Sequence, residues 1–317
     1  MPKTHSLVLV NHPLGQERRD FEEIAAKVEA LAPEISIHIV PHDVKVEDSD
    51  LPADVWARPA FNVAFQWPQK FRPRRGVTYA GRPINKSVQA RKYDTAGVAV
   101  PPTVTYDFGR ALNRDFWGDF VIMKPTRIDM TSHGNNVFLM RTERVAALAQ
   151  RIYPPQHPAR AAPVLIQKFI NTGGVPESYR VLTLFGKPLY CMLFRQHQPR
   201  APLYASDEEL LRTPIASNAG DDYVHTMVDD PEVIAFAARA AAAMPAIPLQ
   251  GIDVIRDMET GRLYVLESNP GGNTWHFSSK FSIGSRKILS REQRIAQFGA
   301  WDIAAKVLAE RTLKEAR

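Results

Sequence analysis

Two neighbouring segments carry the residue types from which chemistry could be built. Gly251-Ile252-Asp253-Val254-Ile255 is followed, after a polar turn around Thr260-Gly261, by Leu263-Tyr264-Val265-Leu266-Glu267-Ser268-Asn269-Pro270-Gly271-Gly272-Asn273. Both read as strands of one hairpin. Side chains two apart on a strand share a face, so Glu267 and Asn269 point the same way and Asp253 falls beside them. Three oxygen-bearing side chains at one spot make a hard-oxygen site, the kind Mg²⁺ or Mn²⁺ takes together with phosphate oxygens. Such a site implies a nucleoside triphosphate. Acidic residues near a hairpin are usually only solvated. Here the flanks Ile252, Val254, Ile255, Val265 and Leu266 are apolar, and a carboxylate among core strands is costly unless paired or metal-bound. The Asn269-Pro270-Gly271-Gly272 run ends the strand abruptly, where backbone can approach a ligand.

The elements that must position these residues are legible in outline. Leu7 to Val10 and Ile35 to Val40 read as strands, and Glu17 to Leu31 has helical spacing of Phe21, Ile24, Ala25, Val28 and Leu31. This β-α-β start predicts a small open α/β unit, with a third strand expected at Asp54 to Ala57. Phe61 to Arg75, rich in Pro, Arg and aromatics, reads as an irregular connection long enough to have a function. A helix is expected over Asn85 to Ala96, with an extended exit at Val98 to Thr103. Phe120 to Pro125 and Val137 to Met140 form a hairpin with a long polar tip, Thr126 to Asn136. A helix over Thr142 to Arg151 precedes a Pro-rich connection. Strands follow at Val164 to Ile170, Tyr179 to Phe185 and Pro188 to Phe194, then helices at Asp230 to Ala243 and Arg291 to Lys314.

The chain has 317 residues, enough for a large core and two or three modules. Its single cysteine, Cys191, excludes an internal disulfide framework and lies in an apolar strand-like run, which marks a buried structural thiol. No secretory signal and no membrane-length apolar run is present, so no membrane partner and a cytoplasmic location are expected. The net charge of +6 is partly concentrated in Lys70-Phe71-Arg72-Pro73-Arg74-Arg75. Nucleic acid is disfavoured, because no recognition signature accompanies that cluster. A nucleotide or an acidic substrate accounts for the charge as well.

The order of these elements resembles the ATP-grasp superfamily, and within it the carboxylate–amine ligases, the group of glutathione synthetase, D-alanine–D-alanine ligase and enzymes that add glutamate to peptides. The resemblance covers about Ile84 to Ser279, with several motifs in sequence order; the region before Asn85 is similar to the small pre-grasp domain in outline. It implies an α/β (α+β) fold: a pre-grasp domain over 1–84, then two subdomains, 85–170 and 171–317, clasping ATP.

Residue by residue, the resemblance implies the following. Lys124, ending Val121-Ile122-Met123-Lys124-Pro125, matches a lysine that reaches the nucleotide phosphates. Lys86 matches a second, with Lys92 as competitor. Ser132, His133 and Gly134 lie in the matching phosphate-covering loop, which has Gly134 as its one glycine where relatives have several small residues. Gln167, Lys168, Phe169 and Ile170 match the hinge whose backbone meets adenine, although Lys168 stands where relatives commonly have an acid. Glu177 is the candidate for the ribose hydroxyls. Arg180 matches an arginine on phosphate or a bound acyl-phosphate, and Arg195 and Asn218 match places that line the transfer site. Asp253, Glu267 and Asn269 match the metal ligands. Trp275, His276 and Lys280 follow the metal strand and are candidates either for the acceptor pocket or for packing and surface. The implied activity is an ADP-producing ligase that uses ATP and Mg²⁺ (or Mn²⁺) to join an anionic carboxylate to an amine, an amino acid or peptide. Its alternatives are an ATP-grasp small-molecule kinase and a nucleotide-binding protein without turnover. Homodimers are common among relatives.

Overall fold

A computed structural model gives the structure. It describes residues 2–126, 134–217, 223–271 and 274–317. Thirteen described strands form three sheets.

The first sheet has the order β2-β1-β3-β4 and is parallel throughout, from β1 (His5–Asn11), β2 (Ile35–Pro41), β3 (Ala60–Ala64) and β4 (Val77–Ala80). Helix Arg18–Leu31 links β1 to β2 and buries Phe21, Ile24 and Val28 of the predicted face, while Ala25 is half-buried and Leu31, at the end of the helix, is exposed. The strand expected at Asp54 to Ala57 is instead a 3-10 turn, Ala53–Ala57. Pro52 fixes the start of that turn, its carbonyl accepting from the Val55 N–H at 3.1 Å. The third strand is Ala60–Ala64, buried at all five positions. It therefore takes the beginning of the stretch expected to be irregular. An all-buried strand has no alternation to betray it.

The second sheet, β5-β8-β6-β7, is antiparallel and comprises β5 (Thr103–Thr105), β6 (Phe120–Pro125), β7 (Phe138–Arg141) and β8 (Val164–Lys168). The third, β11-β10-β9-β12-β13, is also antiparallel. It comprises β9 (Glu177–Leu184), β10 (Lys187–Gln196), β11 (Tyr223–Met227), β12 (Leu249–Arg256) and β13 (Leu263–Pro270). Helix Pro231–Ala242 starts with Pro at its first turn and an Asp230 side chain accepting from the Val233 N–H at 3.1 Å. Its buried Val233, Ala237, Ala240 and Ala241 lie in one core with Ile252, Val254 and Val265 of the third sheet.

The closing helical region is two helices, Arg291–Phe298 and Ala300–Glu315, broken at Gly299, whose φ of +70° favours glycine. The second of these does not complete the third sheet alone. Trp301, Ala304, Ala305 and Leu308 share a core with Leu7, Phe21, Val28 and Phe61 of the N-terminal unit and with Leu182, Tyr190 and Met192 of the third sheet. The Arg317 carbonyl accepts from the Ala60 N–H at 3.0 Å, so the last described residue meets the start of β3. A buried Asp20 carboxylate ties the same units further. It accepts from Trp275 Nε1 at 2.7 Å, Ser278 Oγ at 2.5 Å and Arg291 Nε at 2.8 Å. Among the described residues no helix is long and apolar enough to cross a membrane.

Candidate active site

The three sheets surround a cleft of about 970 Å³. Its chemistry begins at the β12–β13 hairpin. Asp253 stands opposite Glu267 in register, and a bulge follows between Asp253 and Val254. The bulge absorbs Leu266 and keeps Asp253, Glu267 and Asn269 lining the same cleft. The three residues picked for their spacing are therefore brought together. Asn269 Nδ2 donates to Asp253 Oδ2 at 2.9 Å.

Each carboxylate is met by a cation. Arg180, opposite Asp253 on β9, donates from two nitrogens to both of its oxygens, at 2.7 Å each, a fork geometry suited to carboxylate. Lys86 Nζ lies 2.8 Å from Glu267 Oε2. Burial and the neighbouring Glu267 push the Asp253 carboxyl up, against the pull of Arg180. Burial also opposes ionisation of Glu267, yet Lys86, and after it Lys124 and Arg180, hold it below the usual carboxylate range. Arg180, buried but beside Asp253, is held firmly protonated.

Lys86 rather than Lys92 is the cleft lysine of its helix. Asn85 caps helix Lys86–Thr95 by accepting from the Ser87 N–H at 2.9 Å. Gln89, one turn on from Lys86, clamps β13: its side chain accepts from the Ser268 N–H at 2.7 Å and donates to the Ser268 carbonyl at 3.0 Å. Residues three apart share a helix face, so the clamp between Glu267 and Asn269 also aims Lys86 at Glu267. Lys92 is exposed and lies outside the cleft lining. Gln89 was missed in the sequence, where it reads as an ordinary polar helix residue.

Lys124 ends β6 in the cleft and donates to Gln167 Oε1 at 3.0 Å; Gln167 donates in turn to Thr103 Oγ1 at 2.9 Å. Burial, reinforced by Lys86 and partly offset by Glu267, brings its ammonium pKa down to about 8. At the hinge, the Lys168 N–H donates to the Pro102 carbonyl at 2.9 Å. Pro102 has no N–H to return to the Lys168 carbonyl. The Phe169 N–H is taken by the Phe120 carbonyl at 3.3 Å, whereas the Ile170 N–H has no hydrogen-bond partner among the described residues. Lys168, Phe169 and Ile170 all line the cleft. A Lys168 carbonyl to which Pro102 cannot donate and an Ile170 N–H two residues on, unpaired among the described residues, suit the donor–acceptor edge of adenine.

Glu177 lines the cleft and is ion-paired to Arg195, its cross-strand neighbour on β10. Arg195, half exposed, is not among the lining residues. The arginine that does line the cleft there is Arg200. It is buried, bonded to the Gly173 carbonyl and to Asn171 Oδ1 at 2.7 Å, with its guanidinium 5.1 Å from the Phe169 ring centroid. Its sequence context, Pro199-Arg200-Ala201-Pro202, reads as an ordinary loop. Gly134, with φ of +74°, lines the cleft; Ser132, His133 and Asn218 lie outside the described residues. Of the three candidates after β13, His276 lines the cleft, Trp275 is fully buried packing, and Lys280 is exposed outside the lining. Cys191 is buried, and desolvation pushes its thiol up to about 12, so it is no nucleophile. Of the basic cluster, Arg72 binds the Pro68 and Phe71 carbonyls at 2.8 Å each, and none of Lys70, Arg72, Arg74 and Arg75 lines the cleft.

The donor set at the hairpin fits Mg²⁺. Two carboxylates and one amide supply hard oxygen ligands. Among the described residues no group of three or more His, Cys, Asp or Glu could hold a metal alone, so phosphate or water oxygens would complete the shell. The cations now on Asp253 and Glu267 show that the protein already balances that negative charge.

Comparison with solved structures agrees with this architecture. The ATP-grasp ligase PsnB complexed with a minimal precursor, Mg and ADP aligns with a TM-score of 0.53, over 96% of this chain and 98% of that one, at 14% identity. PsnB with precursor peptide PsnA2 and AMPPNP aligns at 0.51, over 98% and 99%, also at 14% identity. The macrocyclase MdnC, bound with precursor peptide MdnA from Microcystis aeruginosa, aligns at 0.51 over 96% and 99%, at 12% identity. No family model and no curated protein sequence matches the chain. The chain has the ATP-grasp fold, the fold expected from its motifs.

Proposed function

We propose that this protein is an ATP- and Mg²⁺-dependent carboxylate–amine ligase that forms an amide or peptide bond through an acyl-phosphate. One observation carries the reading: Lys86, Lys124 and Arg180 converge on the Asp253–Glu267–Asn269 cluster in one cleft with the unpaired hinge edge. Nucleotide phosphates and catalysis by charge neutralisation need that combination of cations and oxygen ligands.

In this reading the Lys168 carbonyl and Ile170 N–H hold adenine, and Glu177 meets the ribose. Lys124 and Lys86 take phosphate oxygens, and Asp253, Glu267 and Asn269 would hold Mg²⁺. Bound Mg²⁺ would neutralise charge on the phosphates and orient them for in-line transfer. A substrate carboxylate oxygen attacks the γ-phosphorus, the bond to the β–γ bridging oxygen breaks, and ADP leaves. Arg180 stabilises the acyl-phosphate. An amine then attacks the acyl carbon, the carbon–oxygen bond to phosphate breaks, and the amine gives up a proton as inorganic phosphate departs. The neighbours' ligands, precursor peptides beside Mg and ADP or AMPPNP, support including a peptide among the candidate substrates here.

The experiment is ADP and phosphate release with Mg-ATP against pooled amino acids and peptides, with product masses. A substrate-dependent product of mass acid plus amine minus water is expected. A phosphorylated product would replace the ligase with a kinase. Absence of nucleotide binding would refute the reading altogether.

A further inference from the structure

The end of the cleft away from the hinge is walled by the N-terminal unit and by the segment after β13. His12 comes from the loop after β1, and Gln66, Trp67 and Gln69 come from the loop after β3; His276 and Phe281 face them from the other segment. The N-terminal residues His12, Gln66, Trp67 and Gln69 that line the cleft include no Asp, Glu, Lys or Arg. The N-terminal wall therefore offers rings and amides and no formal charge.

Two features make this wall more than leftover surface. Trp67 and Phe281 are 55% and 57% exposed, although both line the cleft. Large aromatic faces left open inside a ligand cleft are contact area waiting for a partner. His12 is also held in one chemical form. Its Nδ1 accepts the Gly15 N–H at 3.0 Å, which puts the ring proton on Nε2. Its ring stacks on His42 with centroids 4.0 Å apart, and lies 6.3 Å from the Phe281 ring. Burial lowers the pKa of both imidazoles, against the pull of Asp43. Asp43 is exposed and outside the lining.

The wall is also set rigidly against the metal strand. A Cβ on Gly81 would fall 2.0 Å from the Phe65 carbonyl oxygen, and one on Gly271 would fall 3.0 Å from the same atom. Only glycine permits that approach, which fixes Gln66 and Trp67 beside the exit of β13. The Lys280 N–H donates to the Leu14 carbonyl at 2.9 Å, joining the two sides.

We propose that this wall is an acceptor subsite for an uncharged aromatic ring, selected by His12, Trp67 and Phe281. It relies on the ligase reading only for the word acceptor. A free amino acid would bring an ammonium and a carboxylate against N-terminal residues that supply no counter-charge, losing hydration without compensation from them. An aromatic ring instead covers the Trp67 and Phe281 faces and meets the His12 Nε2–H and the glutamine amides with its polar edge.

The test uses saturation-transfer NMR on the full chain with Mg²⁺ and AMPPNP. The probes are N-acetyltryptophanamide and N-acetyltyrosinamide against free alanine, glutamate and lysine. The ring amides are expected to bind, and Trp67→Ala and Phe281→Ala, both at exposed positions, to weaken them by about tenfold each. AMPPNP affinity by calorimetry is expected to stay unchanged. Binding of the free amino acids without the ring amides would overturn the proposal, as would wild-type binding of the ring amides by both variants. Failure of AMPPNP to bind would sink the ligase reading instead, and the ring amides run without nucleotide would still decide the wall.

Discussion

Replacing Lys124 with methionine is expected to stabilise the protein while weakening its hold on ATP. The partly buried ammonium has its pKa brought down from the ordinary lysine value of 10.5 to about 8, first by burial and then by Lys86. That difference corresponds to a cost of about 3 kcal/mol for keeping the folded chain protonated at neutral pH. Methionine fills a similar volume without the charge, but leaves Gln167 Oε1 without its donor, a loss of about 1 kcal/mol. The net expectation is roughly 2 kcal/mol of added stability at pH 7, a few degrees in Tm. The sign follows from proton counts. Between about pH 8 and 10.5 the unfolded chain holds more protons than the folded one, so wild-type stability rises with pH through that window and the advantage of Lys124→Met shrinks. Nucleotide affinity moves the other way: loss of a charge-assisted contact costs about 1.5–3 kcal/mol, on the order of 10- to 150-fold in Kd. Urea denaturation at pH 7 and pH 9.5 and calorimetry with Mg-AMPPNP measure both effects. A variant less stable than wild type at pH 7, or one with unchanged nucleotide affinity, would refute the assignment of Lys124 as a phosphate lysine held at a cost to stability.

Glu267→Gln is expected to keep the fold and lower ATP turnover by at least about 100-fold in a phosphate-release assay. Asp253→Ala should abolish turnover as well. It also strands Arg180, a loss of about 3–5 kcal/mol that thermal unfolding will register, so Glu267 is the cleaner probe. Gly81→Ala forces backbone apart at Phe65 and is expected to cost about 1–3 kcal/mol, read as a lowered Tm. Cys191, buried with its thiol near 12, should resist Ellman's reagent at pH 8 in the native protein and react fully in denaturant.

The hairpin was readable because a strand repeats every two residues, which Glu267 and Asn269 obey, and because the turn around Thr260-Gly261 folds Asp253 back beside them. Lys124 was readable because a polar residue ends an apolar run. What escaped had no period to show it. β3 is buried on both faces, so Ala60–Ala64 alternates nothing. β11 and helix Asp207–Arg212 are short, at five and six residues, too few to show a period. Arg195 follows an apolar strand and Arg200 lies in a proline-flanked loop; neither context marks which of them lines the cleft, and Arg200 is held there by the Gly173 carbonyl and Asn171. Long-range partners, such as Gln89 on Ser268, are set by tertiary packing across 179 positions, which no local pattern encodes. The pairing of Arg180 with Asp253 was not readable either, because it depends on the β9–β12 register.

The sharing of one core by the N-terminal sheet and helix Ala300–Glu315 also constrains how the chain is made. Ribosomes elongate at about 5–20 residues per second, so roughly 240 residues of synthesis separate β3 from that helix, on the order of 12–48 s. Throughout that interval Leu7, Phe21 and Val28 lack the surface that finally covers them. The nascent chain thus carries an apolar face that stays uncovered until translation delivers its lid.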